Sequence, residues 1–244
     1  MIALVTGANK GIGFEIARGL AAKGAVVYLG CRHGRLGEAA ADELKKSGAD
    51  IRPLILDVTN QSTIHAAAAR IGAECGYLDS LVNNAGIGAE GGSTPSTAAP
   101  EMIRRVYDVN VFGVIAVTQA MLPLLRKSGH GRIVNVSSSL GSLALATANG
   151  GSGERGQAGF WPTLLAYNSS KSAVNSITVQ FASELRESGI KVNAACPGYC
   201  ATDLNGHSGP RTAAQGAQTP IRLATLPDDG PTGGYFNDDG MVPW

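Results

Sequence analysis

Short apolar runs alternate along the chain with longer stretches of helical periodicity. The apolar runs are typical of buried strands and lie near 2–6, 26–30, 51–56, 78–82, 131–137, 190–196 and 233–237. The helical stretches lie near 12–23, 36–47, 61–74, 101–127, 165–188 and 212–226. Strands that alternate with helices predict a parallel sheet covered on both faces. We therefore expect a doubly wound α/β fold with about seven strands.

Two stretches follow neither pattern. Residues 88–98 form a run of small residues, and residues 146–159 read "ATANGGSGERGQAG". Structureless loops of this length are uncommon inside compact domains and are usually functional or disordered. Because no repeat and no linker divides the chain, we expect a single domain over 1–244 with a loop insertion at about 141–163.

Composition narrows the class of protein. Hydrophobic residues make up 44% of the 244 residues, which is enough for a substantial core. The net charge is +1 without a basic stripe, so we expect no nucleic acid and no membrane as partner. No signal-peptide pattern and no 18-residue apolar span is evident, so a cytoplasmic protein is expected. The four cysteines form no C-x-x-C pair, which predicts reduced thiols and no metal site.

The first apolar run leads into "TGANKGIG". Gly7, Gly11 and Gly13 follow a predicted strand and open a predicted helix, where main-chain amides bind phosphate. Their spacing differs from the G-x-G-x-x-G fingerprint, and a tight turn alone also selects glycine. The position at the first β-to-α turn nevertheless favours a dinucleotide site in a Rossmann-type fold.

The end of the second predicted strand bears on the choice of dinucleotide. An NAD-binding unit carries an acid there, which holds the ribose 2′-hydroxyl. This chain has "LGCRHGR" instead, with Arg32 at that position and Lys10 within the glycine loop. Two cations suit a 2′-phosphate, so the sequence favours NADPH over NADH. The alternative is that Arg32 is a solvated surface cation.

The stretch "AYNSSK" places Tyr167 four positions before Lys171. Residues at this spacing share one face of a helix. An ammonium beside a phenol favours the phenolate, so we expect the pKa of Tyr167 to fall below its ordinary value of about 10. Such a tyrosine could donate a proton near neutral pH. The same spacing also arises by accident between surface neighbours.

Further motifs follow in a fixed order. "LDV" ends the third predicted strand, "NNAG" the fourth, "NVSSSLG" the fifth and "CPGYCATDL" the sixth, and "DVNVFG" lies on the long helix. Together with the glycine loop and "YNSSK", this ordered set resembles the short-chain dehydrogenase/reductase family over essentially the whole chain. The chain is most similar to the monomeric NADPH-dependent carbonyl reductases of that family.

The resemblance implies a catalytic role for four residues. Tyr167 protonates the substrate oxygen, and Lys171 holds the nicotinamide ribose and lowers the tyrosine pKa. Ser138 hydrogen-bonds the carbonyl oxygen; it is chosen among three serines because the family places it three before a glycine, here Gly141. Asn110 anchors a water that links Lys171 to solvent.

The resemblance also implies the contacts of the cofactor. Asp57 and Val58 meet the adenine, Asn83, Ala85 and Gly86 lie along the adenosine ribose, and Pro197, Gly198 and Thr202 lie at the nicotinamide. The full implied set of cofactor-binding residues is Gly7, Asn9, Lys10, Gly11, Ile12, Gly13, Arg32, Asp57, Val58, Asn83, Ala85, Gly86, Tyr167, Lys171, Pro197, Gly198 and Thr202.

The expected activity is NADPH-dependent reduction of a ketone, aldehyde or quinone to an alcohol. The alternatives are a 3-oxoacyl or steroid/terpenoid-type reductase, and a non-catalytic NADPH-binding sensor. An apolar pocket is expected from Leu140, Leu143, Trp161, Tyr199 and Leu204. Because the insertion resembles one that covers the oligomer interface in the carbonyl reductases, we expect a monomer. We also expect its glycine-rich part to be mobile and anchored by Phe160 and Trp161.

Overall fold

The computed structural model describes residues 1–88, 94–149 and 161–244, which form an eight-stranded sheet with helices on both faces. The strands are β1 Ile2–Thr6, β2 Val26–Cys31, β3 Ile51–Ile55, β4 Ser80–Asn83, β5 Arg132–Val136, β6 Lys191–Ala195, β7 Tyr235–Asn237 and β8 Gly240–Met241. Their order is β3-β2-β1-β4-β5-β6-β7-β8, and β8 alone runs antiparallel to its neighbour. The predicted α/β class is confirmed. The eighth strand was not predicted, because its two residues are too few to show an alternation of apolar and polar positions.

Eight α-helices are present in the described parts of the chain: α1 Gly11–Ala22, α2 Gly34–Lys45, α3 Gln61–Cys75, α4 Pro100–Tyr107, α5 Gly113–Ser128, α6 Leu143–Asn149, α7 Leu165–Glu184 and α8 Ala213–Ala224. A π-helical turn, Asp108–Phe112, joins α4 to α5, so the single long helix predicted from the sequence has three segments. Helix α6 was not predicted, and it occupies the start of the expected loop insertion. The glycine-rich stretch and Phe160 lie outside the described residues.

Alternation along the central strands builds one core on each face of the sheet. In β1, Ala3 and Val5 pack beneath α1, α2 and α8, whereas Ile2 and Leu4 pack beneath α3, α5 and α7. Helices α1 and α8 approach closely: a Cβ on Gly19 would lie 2.3 Å from Ile221 Cδ1. A third, smaller cluster lies beside β6 and β7, and its members are Ala194, Cys196, Tyr235 and Val242, with Leu145 packed against them.

The helical stretch Pro100–Ser128 departs from one expectation. Its 29 residues are long and apolar enough, by length and composition alone, to cross a membrane, although no such span was expected. A core helix of a soluble protein passes the same test, and 56% of the most apolar window is buried inside the protein. Its side chains Val117, Met121 and Leu125 belong to the core beneath the sheet.

The sheet order changes direction between β1 and β4. Strand β1 pairs with β2 on one side and with β4 on the other, both in parallel. Connections therefore leave the carboxyl ends of β1 and β4 in opposite directions, which opens a crevice at that edge. The glycine turn and the residues after β4, β5 and β6 meet at this edge.

Candidate active site

The glycine turn after β1 has backbone geometry that requires glycine. Gly7 and Gly11 have φ of 61° and 58°, in the left-handed region. A Cβ on Gly13 would lie 2.4 Å from Asn84 Nδ2 and 2.5 Å from the Gly7 oxygen. In this described turn, α1 starts without a side-chain cap and without an acidic residue in its first turn. Its first amides are therefore free of a competing side chain, as a diphosphate site needs.

Two residues that the sequence reasoning missed hold this turn in place. Asn84 Nδ2 donates to the carbonyl oxygens of Thr6 and Gly7, at 2.9 and 3.2 Å. Thr6 Oγ1 accepts from the amides of Asn84 and Ala85, both at 3.0 Å. These bonds join the carboxyl ends of β1 and β4. The "NNAG" motif was the available signal, since Asn84 is its second asparagine.

The residues expected at the adenosine end lie after β2 and β3. Arg32 is exposed and donates to His33 Nε2 at 3.1 Å. Burial alone would raise the pKa of the Asp57 carboxyl, but hydrogen bonds from the Thr59 amide and hydroxyl, with the charge of Arg32, hold that pKa below its ordinary value. Val58 is nearly buried and packs beside Gly113, so its side chain serves the core.

Lys10 does not contact Arg32. Its ammonium pairs instead with Asp203, which lies in the loop after β6 and also contacts His207 Nε2 at 2.7 Å. The side chains of Lys10 and Asp203 are 64% and 54% exposed, so this ion pair is a solvated contact. It crosses from the glycine turn to the loop after β6. Lys10 thus has a partner of its own at the glycine turn, and its joint role with Arg32 at a 2′-phosphate stays a prediction.

Asn83, which the resemblance places along the adenosine ribose, has its side chain in the interior of the protein. Its side chain is buried, and Nδ2 donates to Thr118 Oγ1 at 3.0 Å and to Asn135 Oδ1 at 2.9 Å. The amide group therefore lies between the sheet and α5, away from the crevice, and Asn83 can face a ribose only through its main chain. Ala85 and Gly86 follow it at the sheet edge.

Three elements meet around the ammonium of Lys171. The side chain is 6% exposed, and Nζ donates to the Val136 carbonyl at 2.8 Å and lies 5.7 Å from the centroid of the Tyr167 ring. A Cβ on Gly86 would lie 3.7 Å from this Nζ and 3.4 Å from Asn110 Oδ1. The loop after β4, the π-helical turn and α7 thus converge here.

The expected lowering of the tyrosine pKa is wrong for this structure. Burial raises the pKa of Tyr167 to about 12, although a hydrogen bond with Ser138 acts in the lowering direction. Burial also lowers the pKa of Lys171 to about 8. The ammonium donates to Val136 and lies 5.7 Å from the centroid of the ring, and burial is the largest influence on the pKa of the phenol. Tyr167 is consequently a neutral phenol near pH 7 and retains a proton to donate.

Ser138 lies at the start of a 3₁₀ turn, Ser139–Gly141, that follows β5. Its Oγ accepts from the Leu140 amide at 3.3 Å and lies near enough to the Tyr167 phenol to act on its pKa. A Cβ on Gly141 would lie 2.6 Å from the Lys171 carbonyl carbon, so the turn rests directly on α7. The structure therefore brings Ser138, Tyr167 and Lys171 together.

The neighbouring serines of this turn are occupied elsewhere. Ser137 is buried and donates to Asn175 Oδ1 at 2.6 Å. The amide of Ser139 donates to Cys196 Sγ at 3.2 Å, a contact that the sequence reasoning missed. Among the three serines, Ser138 is the one whose hydroxyl acts to lower the pKa of Tyr167 in the described structure.

Asn110 lies on the π-helical turn and is 1% exposed. Its Oδ1 accepts from the Ile87 amide at 2.9 Å, and Nδ2 donates to the Ile87 carbonyl and to Ser170 Oγ, both at 3.0 Å. The side chain therefore joins the loop after β4 to α7 through main-chain and hydroxyl partners. The π-helical turn itself is closed by the Gly113 amide, which donates to the Asp108 carbonyl five residues back.

The loop after β6 covers the other end of the crevice. Gly198 has φ of 75°, and a Cβ on Gly11 would lie 3.5 Å from Thr202 Cγ2, so this loop reaches the glycine turn. Pro197 accepts from the buried Cys200 thiol at 3.3 Å, and burial raises the pKa of that thiol. Cys200 is thus a packed, protonated thiol in this structure. Asn9 and Ile12 lie in the glycine turn and at the start of α1.

The arrangement fits a nicotinamide dinucleotide. The glycine turn offers uncapped helix amides at the switch point. The Lys171 ammonium donates one hydrogen bond to the Val136 carbonyl and has further N–H groups for ribose hydroxyls. Ser138 and Tyr167 place two hydroxyl donors beside each other at the same sheet edge. Such donors can stabilise negative charge that develops on an oxygen.

Comparison with known proteins identifies the family. The short chain dehydrogenase family matches residues 1–150 and 152–213. (−)-Isopiperitenone reductase of Mentha piperita is 35% identical, over 97% of this chain and 96% of that protein. Carbonyl reductase (NADPH) 1 of Mus musculus is 34% identical, over 100% of this chain and 98% of that protein. The latter alignment covers 281 positions, more than this chain contains, so the mouse protein has internal residues without a counterpart here.

A solved structure is similar throughout. The NADPH-bound carbonyl reductase from chicken fatty liver superposes with a TM-score of 0.83 at 28% identity, over 99% of this chain and 98% of that chain. Sequence and structure therefore agree over nearly the full length. The chain belongs to the short-chain dehydrogenase family and is an oxidoreductase of the type that binds a nicotinamide dinucleotide.

Proposed function

We propose that this protein reduces a carbonyl compound to an alcohol with NADPH, with Tyr167 as the proton donor. The observation that carries this proposal is the grouping of Ser138, Tyr167 and Lys171 at the sheet edge that also holds the glycine turn. A binding sensor would need the glycine turn but would have no use for two hydroxyl donors aimed at one place.

The chemistry follows from the charge that the reaction creates. The cofactor supplies a hydride to the carbonyl carbon, and the carbonyl oxygen becomes an alkoxide. Ser138 donates a hydrogen bond to that oxygen, and Tyr167 transfers its proton to it, which gives the neutral alcohol and a phenolate. An alkoxide is more basic than a phenolate, so the transfer remains favourable even with the pKa of Tyr167 at about 12.

Lys171 keeps the ribose contact that the resemblance implies. Its ammonium can hold ribose hydroxyls, and its positive charge favours the phenolate that forms when Tyr167 gives up its proton. With the pKa of Lys171 near 8, the side chain is mostly charged at pH 7 and loses that charge in mildly alkaline solution. The reduction rate should therefore fall as pH rises through about 8, because the charge that stabilises the phenolate disappears.

The choice of NADPH rests on Arg32. It is an exposed cation directly after β2, where a preference for NADH would call for an acid. Lys10 adds a second cation at the glycine turn, although Asp203 neutralises part of its charge. The name of the mouse relative, carbonyl reductase (NADPH) 1, supports the same choice.

The substrate class rests on the side chains near the crevice. Leu143, Tyr199 and Leu204 are exposed by 67%, 56% and 50%, which is unusual for large apolar residues. A Cβ on Gly88 would lie 3.6 Å from Leu204, so Leu204 approaches the loop after β4. We propose an apolar ketone, aldehyde or quinone. We also propose, from the sequence, that the protein is a cytoplasmic monomer.

Turnover against a panel of carbonyl compounds tests the proposal. NADPH and NADH consumption would be followed with apolar ketones, aldehydes, quinones and 3-oxoacyl thioesters, together with NADPH affinity by fluorescence titration. We expect NADPH-dependent reduction of apolar carbonyls. Tight NADPH binding without reduction of any member would instead support the sensor, and selective reduction of 3-oxoacyl thioesters would support the alternative reductase.

A further inference from the structure

The last residues of the chain pack against the third core cluster. The indole of Trp244 stacks on the phenol ring of Tyr235, with centroids 5.3 Å apart and an interplanar angle of 17°. Tyr235 is fully buried, whereas Trp244 is 37% exposed. Stacked aromatic pairs contribute about 0.5–1.5 kcal/mol beyond their buried area. The ring of Trp244 thus anchors the end of the chain on β7.

The same segment is tied to the start of α6. The Ala144 amide donates to the main-chain oxygen of Trp244 at 3.0 Å, and the Ser142 hydroxyl donates to the Pro243 carbonyl at 2.7 Å. Ser142 is fully buried, and its Oγ also accepts from the Leu145 amide at 3.1 Å. We call Tyr235 and Val242–Trp244 the C-terminal clasp. The clasp supplies a main-chain acceptor for the Ala144 amide, one of the N–H groups that the first turn of a helix cannot satisfy within the helix.

The clasp continues to the catalytic turn through the third cluster. Tyr235 and Val242 pack with Cys196, and the Cys196 thiol accepts from the Ser139 amide next to Ser138. The Tyr235 hydroxyl is buried without a hydrogen-bond partner among the described residues, and burial raises its pKa. The clasp and the catalytic turn share Cys196 as a contact.

Helix α6 carries the apolar wall that the proposed function uses. Leu143, its first residue, is 67% exposed, and Leu145 packs down onto the third cluster. Because α6 is only seven residues long, its orientation depends on what holds its first turn. The clasp contacts the first turn of α6, and Cys196 contacts the turn that carries Ser138, so the two turns share one support.

We propose that Trp244 is a positioning residue for the carbonyl substrate. By stacking on Tyr235 it fixes the main-chain contact to Ala144, and so sets α6 and the Ser138 turn at the distance that the substrate needs. This inference rests on the proposed reductase function. It concerns the substrate side of the site only, and the glycine turn lies at the other end of the crevice.

The variant Trp244→Ala tests the proposal with two independent measurements. We expect kcat/KM for an apolar ketone to fall by about 10- to 100-fold, chiefly through KM, because a small displacement of the wall misplaces the substrate. NADPH affinity should stay within about twofold, since the clasp packs beside β6, β7 and α6, whereas the diphosphate would bind at the glycine turn. Hydrogen exchange should reveal faster exchange of the Ala144 amide in Trp244→Ala, while the amides of α1 keep their protection.

Matched variants separate positioning from general destabilisation. Met241→Ala removes an exposed side chain from the same segment and should leave both measurements unchanged, and Trp244→Phe should restore most of the activity because it keeps a stacked ring. If Trp244→Ala folds poorly, Ser142→Ala breaks the tie from the other side and should change KM in the same direction.

Two results overturn the inference. One is an unchanged exchange rate of the Ala144 amide in Trp244→Ala. The other is a loss of activity in Met241→Ala that is as large as the loss in Trp244→Ala. Failure of the proposed function looks different: the wild-type protein would reduce no carbonyl compound, while the exchange experiment would still report on the clasp.

Discussion

Replacing Lys171 with methionine should change how the stability of the protein depends on pH. Burial lowers the lysine pKa from 10.5 to about 8 in the folded state. Between these two values the unfolded chain binds more protons than the folded chain, so stability rises with pH across that window. The shift corresponds to about 3 kcal/mol, at about 1.4 kcal/mol for each pKa unit. Lys171→Met keeps a stem of similar shape and has no such titration.

The assay is urea unfolding of both proteins between pH 7 and pH 10. Below pH 8 the wild type carries the full cost of a buried ammonium, partly offset by about 1 kcal/mol from the hydrogen bond to Val136. As pH rises towards 10.5 that cost disappears, so wild-type stability should gain on the variant by about 3 kcal/mol. Tyr167 titrates in both proteins and cancels in the difference. A difference in unfolding free energy that stays constant over this range would refute the buried, depressed lysine.

Two further substitutions test the cofactor site. Arg32→Asp should shift the preference from NADPH towards NADH, because the new carboxylate repels a 2′-phosphate and can accept a hydrogen bond from a 2′-hydroxyl. An unchanged ratio of the kcat/KM values for the two cofactors would contradict the role of Arg32. Gly13→Ala places a Cβ 2.4 Å from Asn84 Nδ2 and 2.5 Å from the Gly7 oxygen. It should therefore cost about 1–3 kcal/mol of stability and weaken NADPH binding. The control is Gly72→Ala, whose Cβ would make only an ordinary contact at 3.5 Å, and this substitution should leave stability unchanged or raise it. Equal effects of the two glycine substitutions in thermal unfolding and NADPH titration would refute close packing at the turn.

Most of the fold could be predicted because its signals are local. Seven strands and the principal helices follow from runs and periodicities within single windows, and the glycine turn follows from its place after β1. Strand β8 and helix α6 escaped because two residues show no alternation and because Leu143–Asn149 is rich in alanine beside a glycine-rich stretch. Short elements are stabilised by distant contacts, here by the end of the chain.

The sequence predicted which residues form the candidate site, but it predicted their pKa values less well. The spacing of Tyr167 and Lys171 placed both on α7, yet their pKa values depend on burial and on the Val136 carbonyl, which a helical spacing does not reveal. The contact of Lys10 with Asp203 joins residues 193 positions apart. Asn83, by contrast, was predictable: strand alternation puts it on the same face as the core residue Leu81, opposite Asn135 in the neighbouring strand.

Single-turnover reduction by Tyr167→Phe, measured beside its NADPH affinity, tests the central claim most directly. The substitution removes only the phenol hydroxyl, which lies near Ser138. For a ketone that the wild type reduces, we expect the rate of NADPH oxidation to fall by about 100-fold or more, while the dissociation constant of NADPH changes less than about threefold. Near-normal turnover in this variant, with NADPH still bound, would contradict the assignment of Tyr167 as the proton donor.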